Sequence, residues 1–249
     1  MDVNLTDEQQ MMVDSAREFL RDACPLATVR DWEKLPDRYP REIWARMAEM
    51  GWTGAIYPEA FGGLGLTNLD MALLMREMGR VALPSPILST VLLAGRAILA
   101  GGSEAQKQGL LPKIAAGEVL LSFALTEASA RPDAATVRTS ARAVGDGYVL
   151  NGTKHFVEFA EQAGQMLVVA RTSESANPGQ GLTMFLVDAR APGIEYIPLQ
   201  TLALQPQAKV VLKDVRVAAT GVVGRVDHAW AVLDPVIQAL SGMLDLNGT

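Results

Sequence analysis

The sequence predicts an α+β multidomain chain: an all-α N-terminal domain at 1–118, an antiparallel β-barrel domain at 119–226 and a further helix at 227–249. Three observations predict it. Capped segments of helical periodicity fill the sequence as far as Gly117. From Val119 to Val223 the chain breaks into short β-branched and aromatic runs separated by Gly, Asn, Asp and Pro. At Asp227 the helical period returns.

Taken in order, Thr6-Asp-Glu-Gln9 has the spacing of a capping box. Met12, Phe19 and Leu20 follow at roughly helical spacing, and Pro25 ends that helix. Pro40-Arg41-Glu42 opens a second helix with Ile43, Trp44, Met47 and Met50 on its apolar face, and Gly51 stands at the C′ position. Asn68 is placed as the cap of a third, carrying Met71, Leu74, Met75 and Met78. The most apolar window, Val81 to Ala100, contains Pro84, Pro86 and Arg96, and Gly101-Gly102 closes it. A membrane helix needs about twenty residues with few breaks or charges. The window therefore reads as a buried core helix, and no membrane span is expected. Ser103-Glu-Ala-Gln106 is another capping box, opening a helix towards Gly117.

The expected strands are Leu120–Thr126, Val137–Val144, Tyr148–Leu150, Thr153–Phe159, Met166–Arg171, Thr183–Asp188, Ile194–Pro198 and Lys209–Val217. Asp146-Gly147 signals a hairpin turn. Many short strands at this spacing indicate an antiparallel barrel or sandwich. Asp227–Leu246 then places Trp230, Leu233, Ile237 and Leu240 on one helical face. With little sequence left to pack against, Trp230, Leu233 and Ile237 are expected as an exposed apolar stripe that needs a partner.

With 49% apolar and 20% charged residues, the composition is that of an ordinary soluble globular protein. A net charge of −6 and a pI near 5.0 argue against nucleic acid or an anionic membrane surface as the main partner. Cys24 is the only cysteine, which excludes an internal disulfide and a thiolate metal cage and fits a cytoplasmic protein. The N-terminus shows no basic region followed by an apolar run, so no signal peptide is expected. No pair of histidines or carboxylates has metal-ligand spacing. No serine sits in a nucleophile elbow, and no G-x-G-x-x-G pattern follows a strand.

Four segments carry a family resemblance. They are Gly51-Trp-Thr-Gly-Ala-Ile-Tyr-Pro-Glu-Ala-Phe-Gly-Gly-Leu-Gly-Leu66, Leu111-Pro-Lys-Ile-Ala-Ala-Gly-Glu118, the pair Leu125-Thr-Glu127 and Leu150-Asn-Gly-Thr-Lys154, and the closing runs Thr183–Asp188 and Val211–Val217. In this order and spacing the sequence resembles the acyl-CoA dehydrogenase family over essentially its whole length. The resemblance implies FAD as cofactor, an acyl-CoA thioester as substrate and oxidation of its α,β bond, in a homo- or hetero-oligomer. It places Phe123, Leu125 and Thr126 on the flavin's pyrimidine side and Arg131-Pro132 at its pyrophosphate. Phe156 would stack on the ring and Glu158 would meet its reactive edge. The family's catalytic base comes from a C-terminal helical domain, of which the sequence would hold only the first helix, so no base is assigned. The alternative reading is a non-catalytic, flavin-poor structural subunit of a heteromeric complex.

Several positions depart from the family pattern. Arg131-Pro132 stands where Gly-Ser is usual: proline removes an N–H donor, while Arg131 either offers its guanidinium to the pyrophosphate or is a solvated loop residue. Phe156 replaces a tryptophan and either stacks or fills the barrel core. Glu158 replaces a small hydroxyl residue. Strand alternation points it the way Phe156 points, unless a bulge turns it to solvent. Glu127 and Asp133 are read as loop organisers, and His155 as a structural residue of an exposed strand edge.

Overall fold

A computed structural model describes residues 5–35, 38–129, 133–202 and 205–245. The N-terminal half is helical: α1 (Asp7–Ala23), α2 (Leu26–Trp32), α3 (Arg41–Glu49), α4 (Asn68–Arg80), a π-helix (Ile87–Gly95), α5 (Arg96–Gly101) and α6 (Glu104–Ala115). The capping boxes at Thr6/Gln9 and Ser103/Gln106 form as expected. The third helix is capped one residue earlier than its sequence suggested: Thr67, not Asn68, accepts from the Asp70 N–H, and Asp70 reaches back. The short α2 was not anticipated. The apolar window at 81–100 is not one helix either. After a turn it runs as nine π-helical residues and then α5.

Polar ties fix the helices to one another. Glu77 on α4 is buried, and its carboxylate receives Arg17 of α1 through both oxygens at 3.1 Å, with Arg80 at 3.3 Å and Arg76 at 3.4 Å. Burial pushes the Glu77 carboxyl upward, but Arg17, Arg80 and Arg76 outweigh it and hold it below its ordinary range.

The second half is an eight-stranded sheet: β1 (Leu121–Ala124), β2 (Ser140–Val144), β3 (Gly147–Glu158), β4 (Gln165–Arg171), β5 (Leu182–Asp188), β6 (Ile194–Leu199), β7 (Gln207–Ala218) and β8 (Val222–Val223). Its order is β6-β7-β3-β2-β4-β5-β8, with β1 on β4. The pairing is antiparallel apart from β1 and the end of β2, which meet β4 in parallel. The two strands expected at 148–150 and 153–159 are one continuous β3. The β2–β3 hairpin turns on Gly145-Asp146, one residue before the expected pair, with Gly145 at φ 61°.

The sheet is buried on both faces. Along β4, Met166, Val168 and Ala170 join a core inside the sheet with Phe185, Leu212 and Val215. Leu167 and Val169 join the core shared with the helices. This is why β4 reads as an unbroken apolar run rather than as an alternation.

The last helix, α7 (Ala229–Asp245), packs on this second core. Ala229, Leu233, Val236 and Met243 are buried, and Trp230, Ile237 and Leu240 are partly buried against it. The expected exposed stripe is therefore corrected: α4, α5, β5 and the π-helix cover it. Sequence position alone could not show that residues far upstream supply that cover.

Candidate functional site

One cavity gathers the residues that the sequence singled out. Phe123, Leu125, Thr126, Phe156 and Glu158 line a space of about 260 Å³ together with Leu88, Ser89 and Leu93 of the π-helix and Ile237, Leu240 and Ser241 of α7. Arg131 and Pro132, expected beside it, lie outside the described residues.

Each wall has a local cause. Alternation along β1 turns Leu121 and Phe123 to the helical side, where Leu125 just beyond the strand joins them, while Ala124 enters the core inside the sheet. Thr90 then locks the π-helix to β1. Its hydroxyl donates to the Leu121 carbonyl at 2.8 Å and accepts the Leu121 N–H at 3.1 Å, as a neighbouring strand would. A π-turn advances more residues than an α-turn, so Leu88 and Leu93, five apart, come to one wall. The distortion is held by Tyr57, whose hydroxyl donates to the Val91 carbonyl at 3.0 Å. Only glycine fits at 95, because a Cβ there would stand 1.8 Å from the Tyr57 hydroxyl. The sequence does not single out these π-helix residues as a cavity wall, because a 3.6-residue period cannot reveal a π-turn. The uniformly apolar run did mark the segment as buried.

On β3, Lys154 pairs with Val210 and Val157 with Ala208, so one extra residue is accommodated between them. This is a bulge, and Phe156 within it has φ 55°, a conformation that costs a non-glycine residue roughly 1–2 kcal/mol. The bulge leaves Phe156 47% exposed at the cavity, so it is not a residue of the barrel core. It does not send Glu158 into solvent. Beyond the bulge Glu158 pairs with Gln207, its carbonyl accepts from Ser122 Oγ at 2.8 Å, and its carboxylate accepts from Gln205 Nε2 at 3.1 Å. Burial raises the Glu158 carboxyl above its ordinary range, against the opposing pull of the Gln205 and Gln207 amides. His155 is partly buried rather than on an exposed edge, and its N–H donates to the Thr126 carbonyl at 2.9 Å.

The motif Asn151-Gly-Thr-Lys154 organises the ground behind the cavity. Asn151 exchanges two hydrogen bonds with Asp214, which sits at φ 53° in a second bulge on β7. Gly152 passes so close to Thr139 that a Cβ would lie 2.6 Å from its Cα. Lys154 is fully buried. Its ammonium donates to the Leu125 carbonyl at 3.0 Å and to Glu127 Oε1 at 2.7 Å. Glu127 also accepts the Arg138 and Thr139 N–H groups, at 2.8 and 2.9 Å. Burial lowers the Lys154 ammonium to about 8, with Glu127 opposing the shift. Asp133 closes the following turn by accepting from the Ala135 N–H. Among the described residues, no group of three or more His, Cys, Asp and Glu is placed to hold a metal, and no helix is long and apolar enough to cross a membrane.

A helical domain seated on a mixed sheet, with a cavity at the seam, places the chain among two-domain α+β proteins with a ligand-sized pocket between the domains. Models of the acyl-CoA dehydrogenase N-terminal and middle domains match residues 6–118 and 122–215. The acryloyl-CoA reductase (NADH) of Anaerotignum propionicum is 33% identical over 249 residues, spanning 97% of this chain and 61% of its own. The acyl-CoA dehydrogenase FadE29 of Mycobacterium tuberculosis is 30% identical over 237 residues, spanning 94% and 60%. A glutaryl-coenzyme A dehydrogenase, solved with glutaryl-CoA, superposes with a TM-score of 0.89 at 27% identity, over 100% of this chain and 64% of that one. The chain belongs to the acyl-CoA dehydrogenase family, and it spans about three-fifths of the length of these curated relatives.

Proposed function

We propose that this chain forms the flavin-holding part of an acyl-CoA dehydrogenase that oxidises the α,β bond of an acyl-CoA thioester. The observation that carries the reading is the convergence of Phe123, Leu125, Thr126, Phe156 and Glu158, from separate stretches of sequence, on one cavity. The donor set fits a flavin: apolar walls for a planar ring, an aromatic face left exposed at a backbone cost, and, among the described lining residues, polar groups at Thr126, Glu158 and two serines. FAD, when bound, supplies the acceptor for the hydride that leaves the substrate. The Phe156 ring offers a stacking surface. Leu88, Leu93, Ile237 and Leu240 keep water from the site. Lys154 holds the Leu125 carbonyl from behind and so fixes the Leu125-Thr126 wall. In this reading Arg131 and Pro132 face the pyrophosphate, and no residue of this sequence is assigned to removing the α proton.

A second reading, a flavin-poor subunit of a heteromeric dehydrogenase, draws on the carboxylate of Glu158 in the cavity. It also draws on the likeness to a chain of the ChsE4–ChsE5 complex of Mycobacterium tuberculosis, with a TM-score of 0.84 at 27% identity. The visible absorption spectrum after FAD addition and removal of excess separates the two. Stoichiometric flavin bands that stay with the protein support the flavin-holding reading. A protein that stays colourless supports the subunit.

A further inference from the structure

Among the described residues, Glu158 is the only titratable side chain lining the cavity. β1 and the π-helix carry no titratable residue. On β3, Lys154 is turned behind the wall to Glu127, and His155 is not among the lining residues. Lys209 of β7, Asp234 of α7 and Glu161 beyond β3 are likewise absent from the lining. Among the described residues the carboxylate is met by two neutral amides, Gln205 Nε2 at 3.1 Å and the Gln207 side chain. Its backbone is fixed by Ser122 and by pairing with Gln207. Among the described residues no cation in the cavity balances a charge on this group, so a second negative charge placed there acts on it directly.

We propose that Glu158 takes up one proton from solvent when a flavin bound in this cavity is reduced. The inference rests on the functional reading above. Its balance is simple. Two electrons and one proton convert the flavin to its singly negative reduced form. The new charge raises the affinity of the Glu158 carboxylate for a proton, and the carboxylate becomes a carboxylic acid that donates rather than accepts. Reduction then consumes two protons per two electrons where Glu158 is ionised beforehand, and one when position 158 cannot titrate. The desolvation that already raises the Glu158 carboxyl brings this proton uptake towards neutral pH.

The test is a reduction-potential titration of the FAD-loaded chain against pH, with dithionite as electron donor and redox dyes as reporters, for wild type and Glu158→Gln. Glutamine keeps the shape of the side chain, and its Oε1 can still accept from Gln205 Nε2. The wild-type potential is expected to fall more steeply with pH across one window. The added slope is one proton per two electrons, or about 30 mV for each tenfold change in proton concentration. The glutamine variant lacks that steeper window. Parallel pH profiles in the two proteins overturn the inference while leaving the flavin site intact. Failure of both proteins to take up flavin overturns this inference and the functional reading together.

Discussion

Replacing Lys154 by methionine leaves Glu127 as a carboxylate buried among backbone groups with its Lys154 partner gone. The ion pair is short, at 2.7 Å, the ammonium is fully buried and the Leu125 carbonyl loses its donor as well. Breaking a buried pair from one side costs about 3–5 kcal/mol. The lost Leu125 contact falls within that figure rather than adding to it. With a urea m-value of about 3 kcal/mol/M, a loss of about 4 kcal/mol moves the unfolding midpoint down by about 1.3 M. Changing Glu127 to glutamine in the same protein should recover part of the loss, because the amide removes the unpaired charge while its oxygen still accepts from Arg138 or Thr139 N–H. Urea unfolding at neutral pH, followed by circular dichroism, measures all three proteins. A Lys154→Met midpoint within about 0.3 M of wild type, or about 1 kcal/mol, refutes the reasoning. So does a double variant less stable than the single one.

Glu77 gives a pH-dependent prediction. Its folded-state pKa is depressed, so its contribution is fully present above the ordinary carboxylate value of 4.5 and is lost as pH falls through the lower folded value. Glu77→Gln should therefore be less stable than wild type at pH 7, by about 1–3 kcal/mol, with the gap closing in acid; thermal unfolding across pH 3–7, a range about the ordinary carboxylate value, checks it. Gly95→Ala should destabilise the wild type more than it destabilises a Tyr57→Phe background, since the clash at 1.8 Å is with the hydroxyl that phenylalanine lacks; additive losses in a double-mutant cycle would contradict this. Phe156→Gly should relieve the strain at φ 55° and raise stability by about 1 kcal/mol. It should also weaken FAD binding about tenfold or more, by fluorescence titration.

Much of this architecture was legible because it is written in local signals. Thr6/Gln9 and Ser103/Gln106 state their helix starts in side-chain chemistry, and β4 and β5 announce themselves as apolar β-branched runs. The motif residues Phe123, Leu125, Thr126, Phe156 and Glu158 were found through their sequence context, and the fold brings them to one cavity. What stayed hidden depends on long-range packing. The π-turns at 87–95 exist because Thr90 meets β1 and Tyr57 meets Val91. The bulge at Phe156 is set by the register against β7. The apolar face of α7 looked unpartnered because its partners, α4 and α5, lie far upstream.

The most direct test of the central claim is a crystal structure of the chain equilibrated with FAD. The account predicts the isoalloxazine ring in the seam cavity, in van der Waals contact with the Phe156 ring and within hydrogen-bonding reach of Glu158. An empty cavity, or FAD bound elsewhere on the protein, would contradict it.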